Sequence, residues 1–271
     1  MKLKSILTLY EVLGLDIIEV FVYFIIEISL QVIDSALTSF ILETMANHGD
    51  PAPVLCNKDP LTLKWGSYMG DLFPNSKWLF MMRDARAAIH SVVTRKVSIS
   101  GYKLDQPRQC LGKWNGMVEN MNRQCNEIGP RRCMLVYYEQ LVLHPKKWIS
   151  LILDFLDLPW DENVMHHEKK INKPGGVRVS KVERSSDQII KPINVDALSS
   201  WFGFYDQDIL DDMDSIVPML RKMGYDPEDD RPVYGIPDGE VVNNTNDIHV
   251  KKNYWEKKSQ KLLEEMDKSK S

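Results

Sequence analysis

Five residues in this 271-residue chain combine a type and a spacing that suit work on an oxyanion: Lys58, Arg83, Ser91, Arg95 and Tyr138. Ser91 and Arg95 stand four residues apart, so on a helix a hydroxyl and a guanidinium fork share one face. Arg83 precedes them, where an apolar run of strand length gives way to a helical pattern. Such a trio suits a phosphate, although from spacing alone surface pairing of the arginines with Asp84 or other acids is the plainer reading. Lys58 follows another apolar run, Val54 to Cys56. An ammonium there can neutralise charge while a sulfuryl or phosphoryl group moves, and an exposed lysine opening a helix is the plainer reading. Tyr138, beside Tyr137, can stack on a purine or pack under a sheet edge.

Composition narrows the classes. Net charge is −4, and no Lys/Arg stripe dominates, which argues against a nucleic-acid binder. The four cysteines, Cys56, Cys110, Cys125 and Cys133, lack paired CxxC spacing with histidine partners, so no metal site is expected. Cys125 and Cys133 bracket a short turn, a spacing that fits a disulfide and fits two thiols as well. Asn243 opens a glycosylation sequon, Asn243-Asn244-Thr245. Val20 to Ile26 is apolar throughout, but Glu11, Asp16, Glu19 and Glu27 interrupt any run long enough to span a bilayer, and no signal-peptide cleavage site follows.

The elements that must position these residues alternate. Val32, Ile33, Ala36, Leu37, Phe40, Ile41 and Met45 fall on one helical face, stopped by Asn47-His48-Gly49. Val54 to Cys56 reads as a strand entering a helix that opens at Asn57 to Pro60 and runs through Leu72. Trp78 to Met82 reads as a second strand and Met134 to Tyr138 as a third. Helices follow from Ala85, from about Cys110 to Ile128, from His144 to Leu156 and from Ile209 to Met223, the last closed by Gly224. Residues 174–192 read as a long polar loop. Strands alternating with amphipathic helices predict an α/β fold whose parallel sheet is covered on both faces, with its ligand site at the carboxyl ends of the strands. That rule points at Lys58, Arg83 and Tyr138.

Several segments, in order, resemble the protein-tyrosine sulfotransferases: Leu55 to Pro60, Phe73 to Ser76, Arg83 to Arg86, Thr94 to Lys96, Val136 to Pro145, Lys173 to Val177 and Glu183 to Pro192. The likeness runs from about Gln31 to about Thr245. It implies a P-loop-like α/β sulfotransferase fold and transfer of a sulfuryl group from 3′-phosphoadenosine 5′-phosphosulfate (PAPS) to tyrosine hydroxyls in acidic motifs of secretory-pathway polypeptides. No bound cofactor is implied, PAPS being a co-substrate. The resemblance gives Arg83, Ser91 and Arg95 the donor's 3′-phosphate. It gives the nucleotide to Tyr138 and to Ser185, Ser186, Asp187, Gln188, Ile189, Ile190, Lys191, Pro192, Ile193 and Asn194. Lys58 and Ser185 become catalytic groups on the transferring sulfuryl. The resemblance also implies a Cys125 to Cys133 disulfide, a homodimer and a Golgi membrane protein with its catalytic domain in the lumen, although no anchor segment is identified in this chain.

The sequence departs from the family in several places. The family's phosphosulfate-cradling loop and the glutamate base after it have no match here, so the first strand and loop are expected to be missing, and Ser200 replaces a lysine. The predicted organisation is a divergent apolar segment 1–30, a sulfotransferase domain 31–235 incomplete at its N-terminal side, and a disordered Lys-rich tail 236–271. Three readings follow: an enzyme, a catalytically inactive chain that binds nucleotide weakly or pairs with a full-length enzyme, or an incomplete version of a longer chain.

Overall fold

The structure, a computed structural model, describes residues 30–48, 51–173, 176 and 186–268. Most of the apolar segment 1–30 therefore lies outside the described residues. The chain divides into two compact units, residues 1–62 with 68–76 and residues 63–67 with 77–271.

In the first unit the periodic apolar run forms α1 (Leu30–Ala46). Asn47 ends it by donating its side-chain amide to the Glu43 carbonyl (2.8 Å) and carboxylate (2.9 Å), a local bond that competes with further helix. The apolar stripe is partly covered: Leu37, Ile41 and Met45 are half-buried, while Ile33 and Phe40 are exposed. The expected strand at Val54 to Cys56 does not form, and residues 51–60 have no regular structure. Pro51 and Pro53 remove backbone donors, and among the described residues no strand pairs with this run to take up its amides. The expected helix after it starts later, as a 3-10 turn (Thr62–Trp65) followed by α2 (Gly66–Leu72).

The second unit carries the α/β architecture. β1 (Trp78–Met82) and β2 (Cys133–Tyr137) pair in parallel, from Trp78 opposite Cys133 to Met82 opposite Tyr137. Between them run α3 (Ala85–Thr94) and α4 (Pro107–Ile128). Pro107 opens α4 at the first turn, where its missing amide costs nothing. Gly129, at φ +87°, closes it. Phe80 and Met82 are buried with Val118 and Met121 of α4, whereas Leu79 and Met81, on the other face of β1, are 38% and 46% exposed. A second apolar cluster joins Ala85, Ala87 and Ile89 of α3 to Cys110 and Leu111 of α4 and to Trp201, Met213 and Leu220.

Cys125 and Cys133 form a disulfide across the turn between α4 and β2, a separation of eight residues. A loop that short still restricts the unfolded chain, so exchanging both cysteines for alanine is expected to cost about 2–3 kcal/mol. Urea unfolding of the two oxidised proteins measures it, and equal midpoints would remove the disulfide from the account. Cys56 is an exposed and Cys110 a buried free thiol.

β2 runs directly into α5 (Tyr138–Leu143) and α6 (Pro145–Leu156). Short helices α7 (Ser186–Ile189) and α8 (Asp196–Ser199) follow. The single helix expected from Ile209 to Met223 is three pieces, α9 (Gln207–Asp211), α10 (Met213–Ile216) and α11 (Met219–Lys222). Pro218 makes the second of the two breaks, since a proline inside a helix deletes one hydrogen bond and clashes with the preceding turn. Ile209, Met213, Val217 and Leu220 still bury together, so the apolar period survives the break. The tail expected to be disordered holds α12 (Gly239–Val250) and α13 (Lys252–Lys268). Val241, Thr245, Ile248 and Trp255 are buried, and the Thr245 hydroxyl accepts the Val195 amide at 3.3 Å. A buried stripe at helical spacing outweighs the polar composition there.

Candidate functional site

Because Met82 and Tyr137 are partners in the ladder, the next residue of each strand emerges side by side at the carboxyl edge. Those residues are Arg83 and Tyr138. The Arg83 guanidinium lies over the Tyr138 ring, 4.6 Å from its centroid, and Arg83 Nη2 donates to the Ala197 carbonyl at 2.9 Å. Arg83 Nε is buried with no hydrogen-bond partner among the described residues. A fixed cation with a buried, unspent donor is the preparation an anion site needs, because a guanidinium binds two oxyanion oxygens through a rigid fork. Burial pushes the Tyr138 phenol above its ordinary range, so the ring serves as a neutral platform. Burial, and then the charge of Arg83, pull the His90 imidazole below its ordinary value, and its ring meets Phe204 edge-on at 4.8 Å.

Asp84 does not pair with Arg83. Its carboxylate caps α3 by accepting the Arg86 amide (2.8 Å) and takes two further bonds from the Arg86 guanidinium, at 3.0 and 2.8 Å. Both side chains are fully buried. The Tyr234 hydroxyl donates to the same carboxylate at 2.9 Å, and the Arg86 guanidinium stacks on Trp201 at 4.6 Å. Burial lowers the Arg86 pKa, but the Asp84 bonds outweigh it and the net shift is upward, so the guanidinium stays charged. Arg83 is thereby left available while its neighbours carry the structural ion pair.

The other expected residues are placed as follows. Ser91 and Arg95 lie half-buried at one-turn spacing, Ser91 within α3 and Arg95 as its cap, and the Arg95 amide donates to the Ser91 carbonyl at 3.1 Å. Ser185 lies outside the described residues. Ser186, Asp187, Gln188 and Ile189 form α7, and Ile190 is buried just after it. The Lys191 amide donates to the Gln188 carbonyl at 3.0 Å. Pro192, Ile193 and Asn194 are half-buried, and the Asn194 side chain bonds the Pro192 carbonyl at 2.9 Å, closing a turn three residues before Ala197. Lys58 belongs to the first unit, where it is exposed in an irregular stretch rather than at a strand end. Asp59 beside it accepts the amides of Leu61 (2.7 Å) and Thr62 (2.9 Å). Among the described residues no group of His, Cys, Asp or Glu side chains is placed to hold a metal ion.

The periodicity of the sequence carries no sign of Ala197, Glu139 or Tyr225 at this edge. Glu139 accepts the Asp84 amide (2.9 Å) and the Tyr225 hydroxyl (2.8 Å) across wide sequence gaps. The one available signal was position: Glu139 directly follows the residue at the tip of β2.

Comparisons with known proteins bear on the site. The sequence profile described as "Sulfotransferase family" matches residues 24–162. A protein-tyrosine sulfotransferase of Drosophila melanogaster is 54% identical over 237 residues, which cover 88% of this chain and 48% of that protein. Protein-tyrosine sulfotransferase 2 of Gallus gallus is 56% identical over 218 residues, 80% of this chain and 59% of its own length. A putative protein-tyrosine sulfotransferase of Caenorhabditis briggsae is 40% identical over 209 residues, 77% of this chain and 74% of its own. The chain thus spans 48% and 59% of the lengths of the first two.

Proposed function

Since the chain belongs to the sulfotransferase family, and within it to the protein-tyrosine sulfotransferases, we propose that it serves transfer of a sulfuryl group from PAPS to tyrosine hydroxyls in acidic motifs of secretory-pathway polypeptides. In that reaction the phenolic oxygen attacks sulfur, the bond from sulfur to the 5′-phosphate oxygen breaks, the phenol proton leaves, and adenosine 3′,5′-bisphosphate departs. The single observation behind this reading is the Arg83 guanidinium, fixed over Tyr138 at the strand edge with its Nε donor unspent among the described residues. Arg83, Ser91 and Arg95 bind the donor's 3′-phosphate, while Tyr138 and residues 185–194 hold the nucleotide. Lys58 and Ser185 act on the transferring sulfuryl.

The setting belongs to the same proposal. We place the protein in the Golgi lumen, as a homodimer, with Asn243 as glycan acceptor; Asn243 is exposed on α12. Among the described residues no helix is long and apolar enough to cross a membrane.

Calorimetric titration of the full 271-residue chain with adenosine 3′,5′-bisphosphate tests the donor site, and mass spectrometry of an acidic tyrosine peptide incubated with PAPS tests transfer. Arg83→Ala removes a charged hydrogen-bond donor, so nucleotide affinity should fall roughly 10- to 100-fold. A folded wild-type chain with no affinity for the nucleotide at millimolar concentration would reject the reading. Binding without transfer favours the reading in which the chain holds nucleotide but does not catalyse.

A further inference from the structure

We propose that Glu139 is the positioning residue of the anion site, tying the tips of β1 and β2 together so that Arg83 stays stacked on Tyr138. The inference rests on the reading of those two residues as the donor-holding pair, and it deepens that reading.

Glu139 is only 2% exposed and sits immediately after Tyr138, as Asp84 sits immediately after Arg83. The two tips therefore meet twice in succession. Arg83 covers the Tyr138 ring at 4.6 Å, and one residue on the Asp84 amide donates to Glu139 Oε1 at 2.9 Å. The second contact is needed because Asp84 is the N-cap of α3 and its amide belongs to no helical ladder. Buried, that amide must find an acceptor, and the Glu139 carboxylate supplies it. Oε2 is held in turn by the Tyr225 hydroxyl at 2.8 Å, and Tyr225 packs edge-on against Tyr137 of β2, with 6.1 Å between centroids. Each oxygen of the carboxylate thus has a fixed donor, so its plane and its reach are set. A buried carboxyl pays in desolvation, which raises its pKa, and two donors of this kind are what keep the group in place. Without the tie, the Arg83 to Asp84 peptide could rotate, and the guanidinium would leave the ring.

The test compares Glu139→Ala with Glu139→Gln. Glutamine keeps an acceptor for the Asp84 amide, and the Tyr225 hydroxyl can turn to accept from its NH₂, so the tie survives; alanine removes it. Two readouts are used on the full chain. The first is the Arg83 Nε–H resonance in ¹⁵N-arginine-labelled protein, assigned by its loss in Arg83→Lys. In the wild type the Tyr138 ring shifts it; it should move to the position of an exposed arginine in Glu139→Ala and stay in Glu139→Gln. The second is the dissociation constant for adenosine 3′,5′-bisphosphate, expected to rise about tenfold in Glu139→Ala and less than about threefold in Glu139→Gln, a loss comparable to one hydrogen bond. If Glu139→Ala melts below the assay temperature, Glu139→Met fills the same space without an acceptor and replaces it. A folded Glu139→Ala with an unmoved Arg83 resonance overturns the proposal, as does a glutamine variant that loses as much as alanine. Should the wild type bind no nucleotide, the donor reading falls by itself, and the resonance alone decides for or against the tie.

Discussion

Asp84→Ala is expected to destabilise the second unit by about 3–5 kcal/mol, the loss that follows when one partner of a buried ion pair is deleted and the other charge stays behind. The Arg86 guanidinium would keep only the Asp229 carbonyl at 2.5 Å and the face of Trp201 at 4.6 Å, neither of which neutralises it. The same substitution strips the cap of α3, costing roughly 1 kcal/mol by itself, and leaves the Tyr234 hydroxyl without the acceptor it now uses at 2.9 Å. Because both side chains are fully buried, added salt should restore almost nothing, unlike at a surface pair. Urea unfolding followed by circular dichroism measures the effect. Combining Asp84→Ala with Arg86→Met removes both charges and fills the space, so the double variant should be more stable than Asp84→Ala alone, with a coupling of about 1–3 kcal/mol. A loss below about 1 kcal/mol for the single change would mean that the pair is hydrated in solution.

That pair also marks the boundary of what the sequence discloses. β1, α3, α4, β2 and α6 follow from apolar period and from end signals: Pro107 and Gly129 delimit α4, and Pro145 opens α6. The strand tips follow too: Met82 and Tyr137 end the parallel ladder together, so Arg83 and Tyr138 stand side by side at its carboxyl edge. Charged residues that pack inward are another matter. Asp84, Arg86 and Glu139 have the composition of a solvated surface, and the partners that bury them, Tyr225 and Tyr234, are 86 and 150 residues away. No local period encodes such a contact. At Val54 to Cys56 the apolar run suggested a strand, and no strand pairs with it among the described residues, a tertiary fact that the run itself does not carry. In the tail the reverse held: lysines masked Val241, Ile248 and Trp255, whose helical spacing was present all along.

On the proposed reaction, Lys58→Ala is expected to slow sulfuryl transfer by about 10²- to 10³-fold while leaving adenosine 3′,5′-bisphosphate affinity within about tenfold of the wild type, because the catalytic cation proposed there is worth most where charge develops. In the donor the bridging oxygen between sulfur and phosphorus carries little charge; as that bond breaks it becomes part of a phosphate dianion. An ammonium there stabilises the transition state more than the ground state, so the loss appears in kcat and not in binding. Asn57 donates to the Thr62 hydroxyl at 3.0 Å, and the Asp59 carboxylate accepts the Leu61 and Thr62 amides, so the turn that carries Lys58 is pinned on both sides. Lys58→Arg keeps the charge on a longer, planar head and should recover part of the rate. Single-turnover measurement with saturating PAPS separates the chemical step from substrate capture. A loss confined to KM would assign Lys58 to donor or peptide binding, and a change below about threefold in both constants would remove it from the reaction, leaving Arg83 and its neighbours as a nucleotide-holding edge alone.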